Sequence, residues 1–149
     1  MKIVIAGAGE VGSHLAKMLN NEANEVTVID ERQDRLDALI ANTDVITVTG
    51  NPSTIGVLNE AGVANADLFI AVNPSDSQDV NIVSAMLAKK LGSKKATARI
   101  NNEEYLTYEN KYLFTEMGID LLFYPEKIAA GEIVDLLKRT ATTDSLEFA

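Results

Sequence analysis

The sequence predicts an α/β domain in which a doubly wound parallel sheet carries helices on both faces. Short runs rich in β-branched residues alternate with longer segments of helical periodicity along the chain, and this alternation is typical of parallel sheets. A glycine-rich turn directly follows the first apolar run. That position of the turn favours the strand order 3-2-1-4-5-6.

Six short apolar runs, bounded by polar or turn-forming residues, predict the strands. They cover residues 2–6, 26–30, 45–49, 68–72, 96–100 and 120–124. Helical spacing predicts helices between and after them, including segments 79–91, 103–117 and 125–139. The segment 103–117 is expected to turn four side chains inward: Tyr105, Leu106, Leu113 and Phe114. We therefore predict one folded domain over residues 1–139.

The last ten residues, 140–149, differ from the rest in character. Residues 140–145 are small and polar, as in a linker, and Leu146-Glu147-Phe148-Ala149 then begins an alternating strand pattern. A frayed C-terminus is the alternative interpretation. We expect a linker and the start of a following domain, so that the chain is a fragment of a longer protein.

Composition limits the classes of function. The chain has 149 residues and a formal net charge of −9, and an acidic surface repels nucleic acid and anionic lipid. It contains no cysteine and one histidine, His14, which excludes disulfides, cysteine zinc sites and histidine clusters. We expect no nucleic-acid partner and no metal site.

The lengths of the apolar runs and the first residues of the chain indicate the cellular compartment. No apolar run approaches the length of roughly 20 residues that crosses a bilayer. The start of the chain, residues 1–5, enters a strand without signal-peptide architecture. With the lack of cysteine, these features predict a cytoplasmic protein without direct membrane insertion.

The turn Gly7-Ala8-Gly9-Glu10-Val11-Gly12 has the spacing of a dinucleotide-binding motif. The first glycine permits the tight turn, the second lets the backbone approach a pyrophosphate, and the third lets the helix pack close to the strand. Asp30 ends the next strand, where an acid accepts hydrogen bonds from an adenosine ribose. The alternative is a strand–helix turn without ligand and a solvated Asp30.

Neighbouring charges favour one class of nucleotide. Asp30 would repel a 2′-phosphate, which favours NAD over NADP although Arg32 and Arg35 follow it. These arginines are equally well explained as helix-surface cations. Glu10 inside the turn disfavours a triphosphate, so we expect NAD or NADH first, with ADP or ATP possible. Glu31 and Arg32 are included in the predicted site beside Asp30.

Other strand ends should face the same crevice, because ligands bind outside the carboxyl ends of the strands. Gly50 and Asn51 are candidates to flank the adenine. Arg99 could reach a phosphate or a partner carboxylate. The fourth strand and the loop after it add further candidates: Val72, Asn73, Asp76 and Asn81. Each of these residues is also explained as a turn former or a surface group.

Groups for hydride-transfer chemistry are not evident in the sequence. A dehydrogenase needs a proton donor or acceptor near the nicotinamide, whereas His14 lies on the first predicted helix beyond the glycine turn. Tyr105 is followed four residues later by Glu109, so the Tyr-x-x-x-Lys pair is missing. We predict binding without turnover. The alternative function is the cofactor-binding half of an NAD-dependent oxidoreductase.

Taken together, the strings MKIVIAGAGEVGSHLAKML, VIDERQDRL and VTGNPSTIGVLNEAGVANADLFIAV, with ARI at 98–100, resemble RCK or KTN domains of the TrkA-N type. These are N-terminal domains of cytosolic regulatory subunits in bacterial potassium uptake systems. The resemblance implies a non-enzymatic domain that binds NAD(H), ADP or ATP and gates a membrane potassium transporter. It also implies a homodimer, with the last helix in its interface, assembling into a larger ring at the inner face of the membrane.

The resemblance also assigns residues. Gly7, Gly9 and Gly12 would hold the phosphates and Asp30 the ribose. The adenine side would be formed by Gly50, Asn51, Val72 and Asn73. Arg99 and Glu126 would lie near the phosphate end or the contact between subunits. Glu10 departs from members that prefer ATP, which often have arginine there. A third possibility is an interaction domain that has kept the fold and lost the ligand.

Overall fold

The structure is a computed structural model that describes residues 1–128 and 130–143. Its six strands form one parallel sheet in the order β3-β2-β1-β4-β5-β6, which confirms the predicted topology. The strands are β1 (Lys2–Ala6), β2 (Glu25–Asp30), β3 (Ile46–Thr49), β4 (Leu68–Ala71), β5 (Ala96–Arg99) and β6 (Leu121–Phe123).

Helices connect the strands and follow the last one. The α-helices are α1 (Glu10–Leu19), α2 (Gln33–Ile40), α3 (Ile55–Glu60), α4 (Gln78–Leu91), α5 (Lys111–Glu116) and α6 (Ala130–Thr142). Four 3₁₀ turns lie between these elements, at Val63–Asn65, Ser75–Ser77, Glu103–Leu106 and Pro125–Lys127. None of the helices within the described residues is both long enough and apolar enough to cross a lipid bilayer.

Two hydrophobic cores, one on each face of the sheet, hold these layers together. Alternate residues of β1 point to opposite faces: Ile3 and Ile5 pack with α1, α2 and α6, whereas Val4 and Ala6 pack with α3 and α4. This alternation follows from the two-residue period of a strand. Since both faces are covered, the central strands are buried along almost their whole length.

Strand register brings the predicted site residues to one edge of the sheet. Ala6 at the end of β1 pairs with Ile29 of β2 and with Ala71 of β4. Beyond this row the Gly7 N–H donates to the Ile29 carbonyl at 2.8 Å. The residues that follow Ala6, Ile29 and Ala71 therefore meet at the carboxyl edge, as expected for a doubly wound sheet.

The prediction of one continuous helix over 103–117 is wrong. Thr107 is extended and separates the 3₁₀ turn from α5. Side chains compete with the helical backbone bonds there: the Asn110 amide donates to the Glu104 carbonyl at 3.0 Å, and the Asn110 N–H donates to the Thr107 hydroxyl oxygen at 3.3 Å. As a result, Leu106 and Leu113 are 40% and 57% exposed instead of pointing inward.

The last helix also differs from its predicted bounds. Pro125–Lys127 forms a separate 3₁₀ turn, and Ile128 is extended before α6 begins. At its other end α6 continues to Thr142, three residues into the segment predicted as a linker. The helical backbone bonds continue to this end, where the Thr143 N–H donates to the Arg139 carbonyl at 3.0 Å. The hydroxyls of Thr140 and Thr142 also donate to carbonyls four residues earlier, at 2.9 and 3.0 Å. The predicted strand start at 146–149 lies outside the described residues.

Candidate functional site

The turn between β1 and α1 needs glycine at two positions for reasons internal to the protein. Gly7 has φ of +118°, and a Cβ there would lie 2.7 Å from the backbone nitrogen of Asn73. A Cβ on Gly12 would lie 1.8 Å from the Gly7 carbonyl oxygen. Backbone conformation and the close packing of α1 on the turn therefore account for both residues.

Gly9 is different, because no close contact within the described residues excludes a side chain there. A Cβ there would meet a single neighbour, the Pro74 Cγ, at an ordinary 3.7 Å. Gly9 is also the N-cap of α1, and no described side chain caps this end of the helix. The turn thus leaves an open space beside the first backbone N–H groups of α1, those of Glu10, Val11 and Gly12, which suits the close approach of a phosphate.

Asp30 is buried and does not project into solvent. Its side chain is 4% exposed. One carboxylate oxygen accepts the Ala8 N–H and the other accepts the Arg32 N–H, both at 2.8 Å. Asp30 thus ties the glycine turn to the end of β2, which excludes the interpretation of a solvated strand-end residue. Each carboxylate oxygen keeps a further lone pair for a ligand hydroxyl.

The two arginines after Asp30 have different surroundings. Arg32 is exposed and bound to Asp34 at 2.7 Å; this hydrogen bond raises the pKa of Arg32 and lowers that of Asp34. Arg35 is half-buried, with a terminal nitrogen 3.6 Å from an oxygen of Asp30. Glu31 is exposed beside them. Arg35, which the sequence analysis did not include in the site, is thus better placed than Arg32.

After β3, the predicted adenine-flanking residues have structural roles. A Cβ on Gly50 would lie 2.6 Å from a methyl group of Val57, so α3 requires glycine there. The Asn51 side chain accepts hydrogen bonds from the Ser53 N–H and hydroxyl at 2.9 and 2.7 Å. Neither Gly50 nor Asn51 lines the two clefts beside the glycine turn. The structure does not bring them to those clefts.

At the end of β4, Val72 and Asn73 border the crevice, as predicted. Asn73 is held by the buried Asn81: its N–H and side-chain amide donate to the Asn81 oxygen at 2.8 and 3.0 Å. Asp76 is exposed on the following 3₁₀ turn and lines neither cleft. Pro74 and Ser77 do line the crevice, although the sequence analysis pointed to this loop without identifying them.

Arg99 ends β5 and points into the same crevice. Its side chain is 11% exposed, and its Nη2 donates to the Glu126 Oε2 at 3.0 Å. The Nε of Arg99 is buried without a hydrogen-bond partner in the described residues. The structure therefore brings Arg99 and Glu126 together, within one chain, beside the glycine turn.

Two clefts make up the crevice, with volumes of about 310 and 320 Å³. One lies over the start of α1 and is lined by Gly9, Glu10, Val11, Arg35, Val72, Pro74 and Arg99. The other lies beside Asp30 and is lined also by Glu31, Arg32, Arg35, Asn73, Pro74 and Ser77. Arg35 and Pro74 border both. The first cleft offers N–H donors and two guanidinium groups to an anion, and the second offers a buried carboxylate to hydroxyls.

Comparisons of sequence and of structure both relate the chain to TrkA proteins and TrkA-N domains. The chain is 38% identical to the Trk system potassium uptake protein TrkA of Haemophilus influenzae, in a match that covers 100% of this chain and 32% of that protein. It resembles the structure of the TrkA-N domain of the inner membrane protein ybaL from Escherichia coli, with a TM-score of 0.69 and 22% identity over 91% and 96% of the two chains. It also resembles the GsuK channel bound to NAD, with a TM-score of 0.65 and 21% identity over 81% and 21%.

The chain spans about a third of the length of the Haemophilus relative. The family model of the TrkA-N domain matches residues 3–125, from β1 to the 3₁₀ turn before α6. This region contains the glycine turn, Asp30 and the carboxyl ends of all six described strands. The chain therefore belongs to the TrkA-N domain family.

Proposed function

We propose that this domain binds an adenine nucleotide in the crevice, NAD or NADH in preference to ADP or ATP. The observation that carries the proposal is Gly9. Its missing side chain leaves an open space beside N–H groups of α1 that no side chain caps in the described part of the chain, whereas Gly7 and Gly12 are explained by the fold. A phosphate above the start of α1 would account for Gly9.

The proposed pose extends from Gly9 to Asp30. The pyrophosphate lies in the cleft over α1, between Arg35 and Arg99, and the adenosine ribose bonds to the free lone pairs of Asp30. Glu10 borders the phosphate cleft and is exposed, and its charge disfavours the additional charge of a triphosphate. A neighbour of the same fold, the GsuK channel, is bound to NAD, which supports a dinucleotide.

We further propose that nucleotide occupancy regulates potassium uptake through a membrane transporter. The name of the Haemophilus relative, a Trk system potassium uptake protein, supports this role. In this proposal the protein is cytoplasmic, forms a homodimer within a larger ring, and acts at the inner face of the membrane. The nucleotide works by population shift, because it binds one ring geometry better than another.

Calorimetry with NADH, NAD, ADP, ATP and adenosine tests the binding proposal. We expect saturable binding of the first four ligands, with NADH or NAD tightest and ATP weakened by Glu10. Absence of binding heat and of thermal stabilisation with all four would overturn the proposal and favour a domain that has lost its ligand. Steady hydride transfer from NADH to an added carbonyl substrate would instead favour an oxidoreductase fragment.

The regulatory proposal is tested separately by potassium uptake in cells whose own copy of the protein carries Gly9→Ala. If occupancy regulates uptake, this variant should no longer respond to the cellular nucleotide level. The Gly56→Ala variant is a matched control, because a Cβ at Gly56 on α3 meets nothing within 4 Å. Equal uptake in both variants and the unmodified strain would contradict regulation through this crevice.

A further inference from the structure

The ion pair between Arg99 and Glu126 joins the crevice to the segment that leads into α6. Arg99 is the last residue of β5, and Glu126 lies on the 3₁₀ turn between β6 and α6. The two partners are unequally buried, since the side chain of Arg99 is 11% exposed and that of Glu126 is 44% exposed. The arginine therefore belongs to the crevice wall, and the carboxylate reaches it from the surface.

The bonding of Arg99 is incomplete. Nη2 is paired with Glu126, but the buried Nε has no partner in the described part of the chain. A buried donor without an acceptor is costly, more so when it belongs to a charged group. Arg99 lines the cleft that also contains Gly9 and Val72, so an anion in this cleft could supply the missing acceptor.

The two partners also differ in how firmly their backbones are held. The Arg99 carbonyl accepts a hydrogen bond from the buried Asn81 amide at 3.2 Å, and the next N–H, that of Ile100, donates to the Phe123 carbonyl at 2.9 Å. In the turn that carries Glu126, the backbone bond from Ile128 to Pro125 is long, at 3.4 Å. The backbone of Arg99 is therefore bonded to other elements, whereas the described backbone bond of the turn lies within the turn itself.

We propose that Arg99 exchanges Glu126 for the pyrophosphate of a bound nucleotide, and that this exchange releases the Pro125–Lys127 turn and the start of α6. The inference rests on the proposed binding of a nucleotide in the crevice. It adds a route by which occupancy changes the chain outside the crevice.

The exchange is favoured by charge and geometry. A pyrophosphate offers several oxygens and can accept from two guanidinium nitrogens at once, whereas Glu126 accepts from one in this structure. The released carboxylate is already half in water, so its return to solvent costs little. Adenosine lacks the phosphates and should leave the ion pair intact.

The test is calorimetry of ADP and adenosine with the unmodified protein and the variants E126Q, R99M and R99M/E126Q. Removing the competing carboxylate should tighten ADP binding by about fivefold in E126Q and leave adenosine binding unchanged. In the R99M background the same E126Q change should have no effect on ADP binding. The control E132Q removes an exposed charge from the first turn of α6, away from the crevice, and should bind ADP as the unmodified protein does.

Hydrogen exchange provides the structural readout. Addition of ADP to the unmodified protein should speed amide exchange over residues 125–134, and adenosine should not. In R99M the exchange should be fast without ligand and insensitive to ADP. Because exchange is measured in the turn and α6, it reports release of the turn. Calorimetry alone reports only the change in ADP affinity.

Two results would overturn the inference while leaving nucleotide binding in place. The first is tighter ADP binding by R99M/E126Q than by R99M. That result would show that Glu126 weakens ADP binding by repelling the phosphates, without any exchange at Arg99. The second is ADP binding without faster exchange over residues 125–134. If the unmodified protein binds neither ADP nor NADH, the proposed function fails as well, so the two failures are distinguishable.

Discussion

The two walls of the crevice are built on different principles. On the β1–α1 side, backbone geometry defines the wall: a Cβ on Gly7 or Gly12 would come within 3 Å of neighbouring backbone atoms, and α1 presents N–H groups. On the β5–β6 side, two long side chains, Arg99 and Glu126, define it through one ion pair of 3.0 Å. The first wall is held by backbone that cannot rearrange without disturbing the sheet, and in our proposal the second wall changes partners by rotation of side chains.

In the proposed function, this difference separates two requirements, a constant binding geometry and a response to the ligand. A rigid wall gives a constant binding geometry, because the N–H groups of α1 are already aligned before a ligand arrives. A wall whose ion pair exchanges partners, as proposed for Arg99 and Glu126, gives a ligand a second arrangement toward which it can shift the population. The comparison predicts that substitutions in the first wall change the stability of the fold or the affinity for nucleotide. Substitutions in the second wall should change the coupling between nucleotide binding and release of the Pro125–Lys127 turn.

The largest effect is expected at Gly12. Gly12→Ala would place a Cβ within 1.8 Å of the Gly7 carbonyl oxygen, so the turn and α1 must separate at a cost of at least about 2 kcal/mol. Gly9→Ala has room for its methyl group and should change the free energy of unfolding by no more than about 1 kcal/mol. Urea denaturation followed by circular dichroism measures both.

Gly9→Ala should instead weaken ADP binding by at least about tenfold, because its methyl group occupies the phosphate position. The control Gly56→Ala should bind ADP normally. If Gly9→Ala proves as unstable as Gly12→Ala, or binds ADP with unchanged affinity, the distinction between a structural and a ligand-facing glycine is wrong.

An intermediate effect is expected at Arg35. This residue borders both clefts and lies 3.6 Å from Asp30. Arg35→Met should weaken ADP binding about fivefold, as expected for one partly screened charge contact. Arg32→Met should have a smaller effect, because Arg32 is bound to Asp34 at the surface. Fluorescence titration with ADP and adenosine would compare them, and a larger loss in Arg32→Met would reverse the assignment.

The smallest effect is expected far from both walls, at Asp67 before β4. The Lys2 N–H, donating at 2.7 Å, and then Lys94 hold the pKa of Asp67 below its usual value. A carboxyl whose folded pKa is depressed stabilises the fold above its unfolded pKa of about 3.9, and this contribution is lost as the pH falls further.

Asp67→Asn should therefore lower the urea midpoint slightly at pH 6 and reduce the loss of stability between about pH 4 and pH 2.5. The contribution of this partly exposed pair should be below about 1 kcal/mol. Unfolding curves at several pH values measure it. An acid transition identical in the variant and the unmodified protein would show that Asp67 does not contribute.

The sequence predicted those parts of the molecule that depend on local chemistry. Strand periodicity, the position of the glycine turn and the acid at the end of β2 were sufficient for the strand order and for the placement of Gly7, Gly12 and Asp30 at one edge. The prediction of a continuous helix failed over 103–117, where the side chains of Asn110 and Thr107 interrupt a helix that apolar spacing favours. Periodicity measures which residues are apolar, and it does not register competition for backbone hydrogen bonds.

The sequence by itself determined the strand order of the sheet and the glycine turn, because these depend on spacing along the chain. Only the tertiary structure decided which polar residues share the crevice. It placed Arg35 between the two clefts, left Asp76 and Asn51 outside them, and paired Arg99 with Glu126 across the β5–β6 edge. Such choices depend on distances between residues that are remote in sequence, and no local pattern encodes those distances.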